Sequence, residues 1–284
     1  MHPSHTFRLI AACALSVSIG ILGVLAAPGA AAAEPIFTVT APSLGDATST
    51  AWRATVSIET VGRRPGARAP IRASGSGVVV ARRADGRALV VTAAHVVAPG
   101  SSASVVWTDG SRSALKAIWR RGGADLALLE AVDAPASLRV PAVVWGAAGA
   151  PPTGEVVAMG YPSTAELGAE DLDVEPSRVL RRARGRIIDH RQGLRARVRA
   201  LASRATVGRL RLGGVFEHSA PVVPGSSGGP LVSRSDGAVL GVHVGSLQTK
   251  AGECRRGSGG ECLHLAADLA AIAGPVERWL QARE

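Results

Sequence analysis

The sequence predicts an all-β protein that ends in a short helix. Short apolar runs recur along the chain between Gly, Pro, Asp and Ser residues, and no helical period persists before Leu265. Asp-Gly pairs at 85–86, 109–110 and 236–237 are typical of tight hairpins. Many short strands at regular spacing indicate a β-sandwich or β-barrels.

The apolar runs also predict where the strands and domains lie. Strands are expected in the clearest runs, at 77–80, 88–91, 104–107, 126–129 and 154–158. A stretch of small residues around 147–153 predicts a linker, so that 51–148 and 149–284 form two β units, the second including the C-terminal helix. Residues 34–50 are rich in Ser, Thr, Ala and Pro and predict a flexible N-terminal segment.

Two features are expected at the end of the chain. Pro275 should separate a short turn from a final helix, because proline breaks a helix interior. In that helix Trp279 and Leu280 are expected on the buried face.

Residues 1–33 have the pattern of a secretory signal peptide. Residues 9–27 are apolar, Arg8 is the only formal charge before Glu34, and the run ends in four alanines at 30–33. We therefore expect a secreted, periplasmic or otherwise extracytoplasmic protein. The alternative is a retained membrane anchor, since the run is long enough to span a bilayer, and only then is membrane contact expected.

The cysteines indicate whether the protein can form a disulfide. After removal of the leader, Cys254 and Cys262 are the only two. In an exported chain this spacing predicts a disulfide, with two free thiols as the alternative. The pair has too few neighbouring ligands for a metal site, and no metal or other cofactor is expected.

The net charge of +10 arises from 30 arginines and two lysines against 22 acidic residues. Twelve of the arginines fall between positions 178 and 211. One interpretation is a surface for an anionic partner; the other is a solvated strand face. Aromatic residues are not interleaved with the arginines, which favours the solvated face and argues against a nucleic-acid partner. The sequence carries no signal for an oligomeric state.

Three side chains in the order His, Asp, Ser carry the candidate chemistry. Amide hydrolysis by an alcohol needs a base within reach, a carboxylate that orients the base, and donors for the developing oxyanion. Ser227 follows Gly225 and precedes two more glycines, a pattern that favours a tight turn with an exposed hydroxyl. His95 and Asp125 are the candidate base and carboxylate, and the amides of Gly225 and Ser227 are the candidate oxyanion hole.

These residues lie in segments that resemble trypsin-like serine proteases. Thr-Ala-Ala-His at 92–95 resembles the histidine motif, Asp-Leu-Ala-Leu-Leu at 125–129 the aspartate strand, and Gly-Ser-Ser-Gly-Gly-Pro at 225–230 the nucleophile motif. Ser-Gly-Ser-Gly-Val-Val at 74–79 resembles the strand that leads towards the histidine. The match is closest to bacterial Deg/HtrA-type protease domains, without a PDZ-like segment following.

The resemblance spans roughly residues 70–270 and implies two antiparallel six-stranded β-barrels of the chymotrypsin type. It places His95 and Asp125 in the first barrel and Ser227 in the second. The implied activity is that of a secreted serine endopeptidase that cleaves polypeptide substrates through an acyl-enzyme. Alternatives are an inactive binding module for anionic partners on the same fold, or an esterase using the same triad. Ser226 departs from the family, which usually has Asp or Asn there.

The resemblance also indicates the residues around the substrate's P1 side chain. Pro221 stands at the base of the S1 pocket and carries no charge, which argues against a strict Arg or Lys preference. His243 matches a segment of bacterial glutamyl endopeptidases, with Ser246 and, less directly, His264 as further pocket residues, and Gly245 on the strand that binds substrate backbone. These matches favour an acidic P1 residue, with a small apolar one as the alternative.

Two histidines of the predicted second β unit remain, His190 and His218, and His218 is expected to be structural.

Overall fold

The computed structural model describes residues 41–43, 45–62, 71–97, 100–145, 153–162, 179–190, 194, 214–248 and 262–282. Strands β1–β6 are Thr55–Gly62, Ile71–Arg82, Ala88–Ala93, Ser102–Val106, Arg112–Arg121 and Leu126–Ala131. Strands β7–β12 are Glu155–Gly160, Arg181–His190, Val215–His218, Pro230–Ser233, Val239–Gln248 and Cys262–Asp268. Helices α1 and α2 are Ser49–Ala54 and Ala273–Gln281.

The twelve strands of the described ranges close into two barrels. The first barrel has the strand order β1-β2-β3-β6-β5-β4, and the second has the order β10-β11-β12-β9-β8-β7. Every pairing between neighbouring strands is antiparallel, including the pairs β1–β4 and β7–β10 that complete the two rings. The predicted fold class, two antiparallel six-stranded barrels of the chymotrypsin type with a short C-terminal helix, is confirmed.

The local sequence explains the hairpins. Each of the three Asp-Gly pairs joins two consecutive strands, β2–β3, β4–β5 and β10–β11. The glycines of these turns, Gly86, Gly110 and Gly237, have φ values of 86°, 84° and 74°, in the left-handed region where a side chain is unfavourable. The hairpin predictions are therefore confirmed.

The barrels share apolar packing. The described residues of both barrels belong to one compact unit, in which β1 and β2 of the first barrel contact β7 of the second, while β3 contacts β11. One continuous cluster of buried residues contains Val78 and Leu128 from the first barrel and Val232 and Val242 from the second. Burial of these side chains supplies the main favourable term for holding the barrels together.

The C-terminal helix differs from the prediction in two respects. A short turn at Ala270–Ile272 does precede the final helix, but Pro275 lies in the first turn of α2 and not at the boundary, at a position where a proline leaves no intrahelical hydrogen bond unmade. Val276 and Trp279, three residues apart, form the buried face, whereas Leu280 is 51% exposed. The expectation that Leu280 is buried was wrong, since a 100° step along the helix carries it off the face that Trp279 occupies.

Some predictions fall on residues outside the described ranges. These are the signal peptide at 1–33, most of the predicted linker, most of the arginine-rich stretch, and Cys254 of the predicted disulfide. Among the helices that are described, none has the length and apolar character needed to cross a membrane.

Candidate active site

His95 and Asp125 lie in neighbouring turns at one end of the first barrel. Ala93, the last residue of β3, pairs with Leu126, the first residue of β6, so the two turns are side by side. Asp125 Oδ2 lies 2.6 Å from His95 Nδ1, and Asp125 Oδ1 accepts the backbone N–H of His95 at 2.9 Å. A carboxylate at Nδ1 favours the tautomer that carries its proton there, leaving Nε2 as the basic nitrogen.

The backbone of this pair is fixed by further hydrogen bonds. Asp125 adopts a left-handed conformation with φ 50°, which is uncommon for a residue with a side chain. Its carbonyl accepts the N–H of Ala94 at 2.8 Å, and the carbonyl of Ala94 in turn accepts Arg120 Nη2 at 2.7 Å. Both side chains of the pair stay accessible, His95 at 49% and Asp125 at 26% exposure.

Ser227 lies in the turn that leads into β10. The turn requires left-handed conformations at Gly225 and Gly228, with φ values of 91° and 84°. The N–H groups of Ser226 and Gly228 donate to backbone carbonyls. Within the described ranges the N–H groups of Gly225 and Ser227 donate no backbone hydrogen bond, and such unused donors are what an oxyanion hole requires.

The turn that carries Ser227, in the second barrel, packs directly against the first barrel. The carbonyl of Ser227 accepts the N–H of Ser76 at 2.8 Å. A β-carbon at Gly228 would lie 2.1 Å from Thr92 Oγ1, so the backbone of this turn rests directly on the strand that leads to His95. The nucleophile motif therefore lies at the barrel end that carries His95 and Asp125.

Three buried histidines form a cluster in the second barrel. The ring centroids of His218 and His243 are 5.6 Å apart, those of His218 and His264 are 5.8 Å apart, and those of His243 and His264 are 6.4 Å apart. His218 and His264 are paired residues on β9 and β12. All three side chains are buried, and the three similar distances place the rings at the corners of a triangle.

Burial keeps this cluster neutral. Desolvation, and secondarily the neighbouring His264, lower the pKa of His218 to about 3. Desolvation and the other two imidazoles also lower the pKa of His243 well below its ordinary value. Desolvation lowers the pKa of His264 to about 4. At neutral pH the cluster therefore offers N–H donors and lone pairs but no charge.

Ser246 of β11 is exposed and contacts the cluster. Ser246 Oγ is 2.8 Å from His264 Nδ1. A β-carbon at Gly245 would meet no atom within 4 Å, so free space borders the strand there. Pro221 is half-buried and uncharged.

Hydrogen bonds join two pairs of the side chains that the sequence singled out, whereas none joins Ser227 to His95 among the described residues. His95 contacts Asp125, and His264 contacts Ser246. His218 was expected to be structural; it is fully buried, and its ring packs against both other members of the cluster, a contact that was not predicted. The contact between His218 and His264 follows from the register of β9 and β12, which pairs the two positions. This register cannot be deduced from the sequence alone. Among the described residues, no cluster of side chains could hold a metal ion.

The fold is that of the chymotrypsin-type serine peptidases. The family model of the trypsin-like peptidase domain matches residues 75–242, more than half of the chain, and the chain belongs to that family. Among solved structures, the serine endoprotease from Yersinia pestis has a similar fold, with a TM-score of 0.53 and 21% identity over 84% of this chain and 67% of that chain. No curated protein sequence matches the chain. The chain is thus a trypsin-like serine protease.

Proposed function

We propose that the chain is an active endopeptidase in which Ser227 is the nucleophile, His95 the general base and Asp125 the residue that orients the base. The observation that carries the proposal is the two-point contact of the Asp125 carboxylate with the ring and the backbone of His95, at 2.6 and 2.9 Å. Such a contact fixes both the tautomer and the direction of the imidazole, the two properties that a base needs for serine activation.

The reaction follows from these positions. Ser227 Oγ attacks the scissile carbonyl while His95 Nε2 takes its proton, and the same nitrogen then donates that proton to the leaving amine. The unused N–H groups of Gly225 and Ser227 support a site for the oxyanion of the tetrahedral intermediate. Water then repeats the sequence on the acyl-enzyme and releases the second product. These steps need no cofactor.

A fluorophosphonate probe tests the assignment of the nucleophile. We expect the wild-type protein to be labelled and Ser227→Ala not to be labelled, since the probe reacts only with an activated serine. Ser226→Ala is the matched control and should still be labelled, because Ser226 is buried beside the proposed nucleophile. Wild-type protein that folds but is not labelled would contradict the proposal and favour a non-catalytic binding module. Rapid ester cleavage without peptide cleavage would favour an esterase.

The proposal extends to an acidic residue at P1 of the substrate. Ser246 adds an exposed hydroxyl to the cluster of neutral imidazoles through its contact with His264. Neutral N–H and O–H donors can bind a carboxylate strongly in a closed pocket, and the carboxylate in turn favours protonation of the imidazole that it contacts. Pro221 offers no negative charge for an Arg or Lys side chain.

Peptide p-nitroanilides that differ only at P1 test this preference. We expect kcat/KM for Glu to exceed that for Ala by at least about tenfold, which corresponds to about 1.4 kcal/mol. Ser246→Ala should reduce the Glu-to-Ala ratio and leave the absolute rate for Ala unchanged, because only the P1 contact is altered. Equal rates for Glu and Ala in the wild-type enzyme would replace the acidic preference with one for small apolar residues.

The proposal also places the enzyme outside the cytoplasm. The apolar run at 9–27 and the alanines at 30–33 support export with cleavage near position 33, and the Cys254–Cys262 pair supports a disulfide in that compartment. N-terminal sequencing of the protein recovered from its native host should begin close to Glu34. Alkylation with and without prior reduction should differ by two cysteines. An intact N-terminus would indicate a membrane anchor instead.

A further inference from the structure

Ser76 places a polar side chain in the interior between the barrels, where an apolar residue is the norm. It lies in β2 and is fully buried, yet each of its polar groups is used. Its Oγ donates to the carbonyl of Gly225 and accepts the backbone N–H of Tyr161, both at 2.8 Å. Its N–H donates to the carbonyl of Ser227 at 2.8 Å, and its own carbonyl accepts Thr92 Oγ1 at 2.7 Å. One residue of the first barrel thus holds two carbonyls of the nucleophile turn.

The two carbonyls that Ser76 holds flank the proposed oxyanion donors. The carbonyl of Gly225 belongs to the peptide unit that follows the Gly225 amide, and the carbonyl of Ser227 belongs to the unit that follows the Ser227 amide. Between them, the carbonyl of Ser226 accepts the N–H of Gly229 at 2.9 Å. With the carbonyls of all three residues bound, the amides of Gly225 and Ser227 are held in one direction.

The turn needs such an external support for two reasons. Gly225 has a φ of 91° and no side chain, so its backbone has more accessible conformations than any other residue type would have. Ser226 is buried and uncharged, so it cannot anchor the turn by an ion pair. The space available is also small, because a β-carbon at Gly160 of β7 would lie 3.0 Å from both Ser76 Oγ and Ser226 Cα.

We propose that the Ser76 hydroxyl is a positioning residue that holds the oxyanion hole of the second barrel in its productive geometry from the first barrel. The inference rests on the proposed function, in which Gly225 and Ser227 bind the oxyanion. Preorganised donors act only when they point to where charge develops, so loss of the hydroxyl should weaken transition-state binding more than substrate binding.

Kinetics of Ser76→Ala on the best p-nitroanilide substrate test the proposal, at a temperature where the variant is folded by circular dichroism. We expect kcat to fall about 10- to 100-fold with KM changed less than about threefold, a smaller loss than removal of an oxyanion donor itself. The affinity for a peptide boronate, which forms a tetrahedral adduct, should fall by a similar factor, while the affinity for the peptide product is unchanged.

Ser57→Ala is the matched control. Ser57 is paired with Ser76 across β1 and β2 and is equally buried, but its Oγ has no hydrogen-bond partner among the described residues. This control should keep kcat within about twofold. Ser76→Cys keeps a side chain of similar size but forms a much weaker hydrogen bond. Its kcat should therefore still lie at least severalfold below that of the wild-type enzyme.

The outcomes separate the inference from the proposed function. If the wild-type protein is labelled by the fluorophosphonate and Ser227→Ala is not, the proposed function holds independently of Ser76. Full kcat in Ser76→Ala or Ser76→Cys, or a loss confined to KM, would then overturn the positioning role. An equal loss of kcat in Ser57→Ala would show that the effect is one of general packing and would overturn it as well.

Discussion

At the residue scale, the histidine cluster shows how burial sets the chemistry of a side chain. An imidazole in water gains a proton near pH 6.5. Inside the second barrel, desolvation moves the pKa of His218 to about 3 and that of His264 to about 4. The folded state therefore keeps these rings neutral at a pH where the unfolded chain would protonate them. A pocket lined by such histidines has neutral hydrogen-bonding groups, and the protein is less stable in acid as a result.

This difference predicts that the protein loses stability on acidification between pH 6.5 and 4. The depressed pKa of His264 means that its contribution is fully present above pH 6.5 and is lost as the pH falls, because only the unfolded chain takes up the proton. The loss from His264 alone should reach about 3 kcal/mol at pH 4. Urea unfolding of the wild-type protein and of His264→Gln at pH 7, 6, 5 and 4 measures it.

The glutamine variant cannot be protonated, so its free energy of unfolding should fall less steeply over the same pH range. Carboxylates with lowered pKa values, such as Asp46 and Asp109, lose their contribution mainly below pH 4 and do not affect the comparison. Identical slopes for the two proteins would show that His264 is not the titrating group.

At the scale of elements, α2 links the end of the chain to the first barrel. Trp279 Nε1 donates to Glu130 Oε1 of β6 at 2.8 Å, and the guanidinium of Arg83 lies over the indole ring, 4.6 Å from its centroid. Arg83 also donates to the carbonyl of Ala282. A helix that follows the last strand of the second barrel is thereby packed on the first barrel, where it adds a further connection between the two.

We therefore expect Trp279→Ala to lower the free energy of unfolding by about 3 kcal/mol, because it removes a buried aromatic side chain and leaves the carboxylate of Glu130 without this donor. The neighbouring Leu280→Ala is the control; at 51% exposure it should cost less than about 0.5 kcal/mol. Urea unfolding monitored by far-ultraviolet circular dichroism, which does not rely on tryptophan fluorescence, compares the two variants. Similar losses for both variants would contradict the packing of α2 described above.

At the scale of the whole molecule, local signals predicted the hairpins, whereas the two closed barrels were predicted from the resemblance to a known family. The Asp-Gly pairs and the short apolar runs fixed the hairpins one at a time, and each of those hairpins is present. The contact of His95 with Asp125 was also expected, from motifs that a known family shares. The parts of the site that were not predicted depend on long-range register. His218 meets His264 only through the pairing of β9 with β12, and Ser76 meets Gly225 across 149 positions of sequence.

The same long-range contacts leave little space at the junction between the barrels. Gly228 and Gly110 have the same φ of 84°, so a side chain at either position meets the same backbone strain. Their surroundings differ: a β-carbon at Gly110 meets no atom within 4 Å, whereas one at Gly228 would lie 2.1 Å from Thr92 Oγ1 and 2.2 Å from the carbonyl of Ser76. Substitutions at the two positions therefore distinguish the cost of backbone strain from the cost of disturbed packing between the barrels.

Gly110→Ala should lower the free energy of unfolding by about 1 kcal/mol, the cost of a left-handed alanine alone. Gly228→Ala should cost more than about 4 kcal/mol, because the methyl group must push the nucleophile turn away from the first barrel. It should also abolish fluorophosphonate labelling in whatever folded protein is recovered, since Ser227 moves with the turn. Urea unfolding and probe labelling of the two variants in parallel measure both effects. Equal stability losses, or normal labelling of Gly228→Ala, would mean that the nucleophile turn does not depend on its seat on the first barrel.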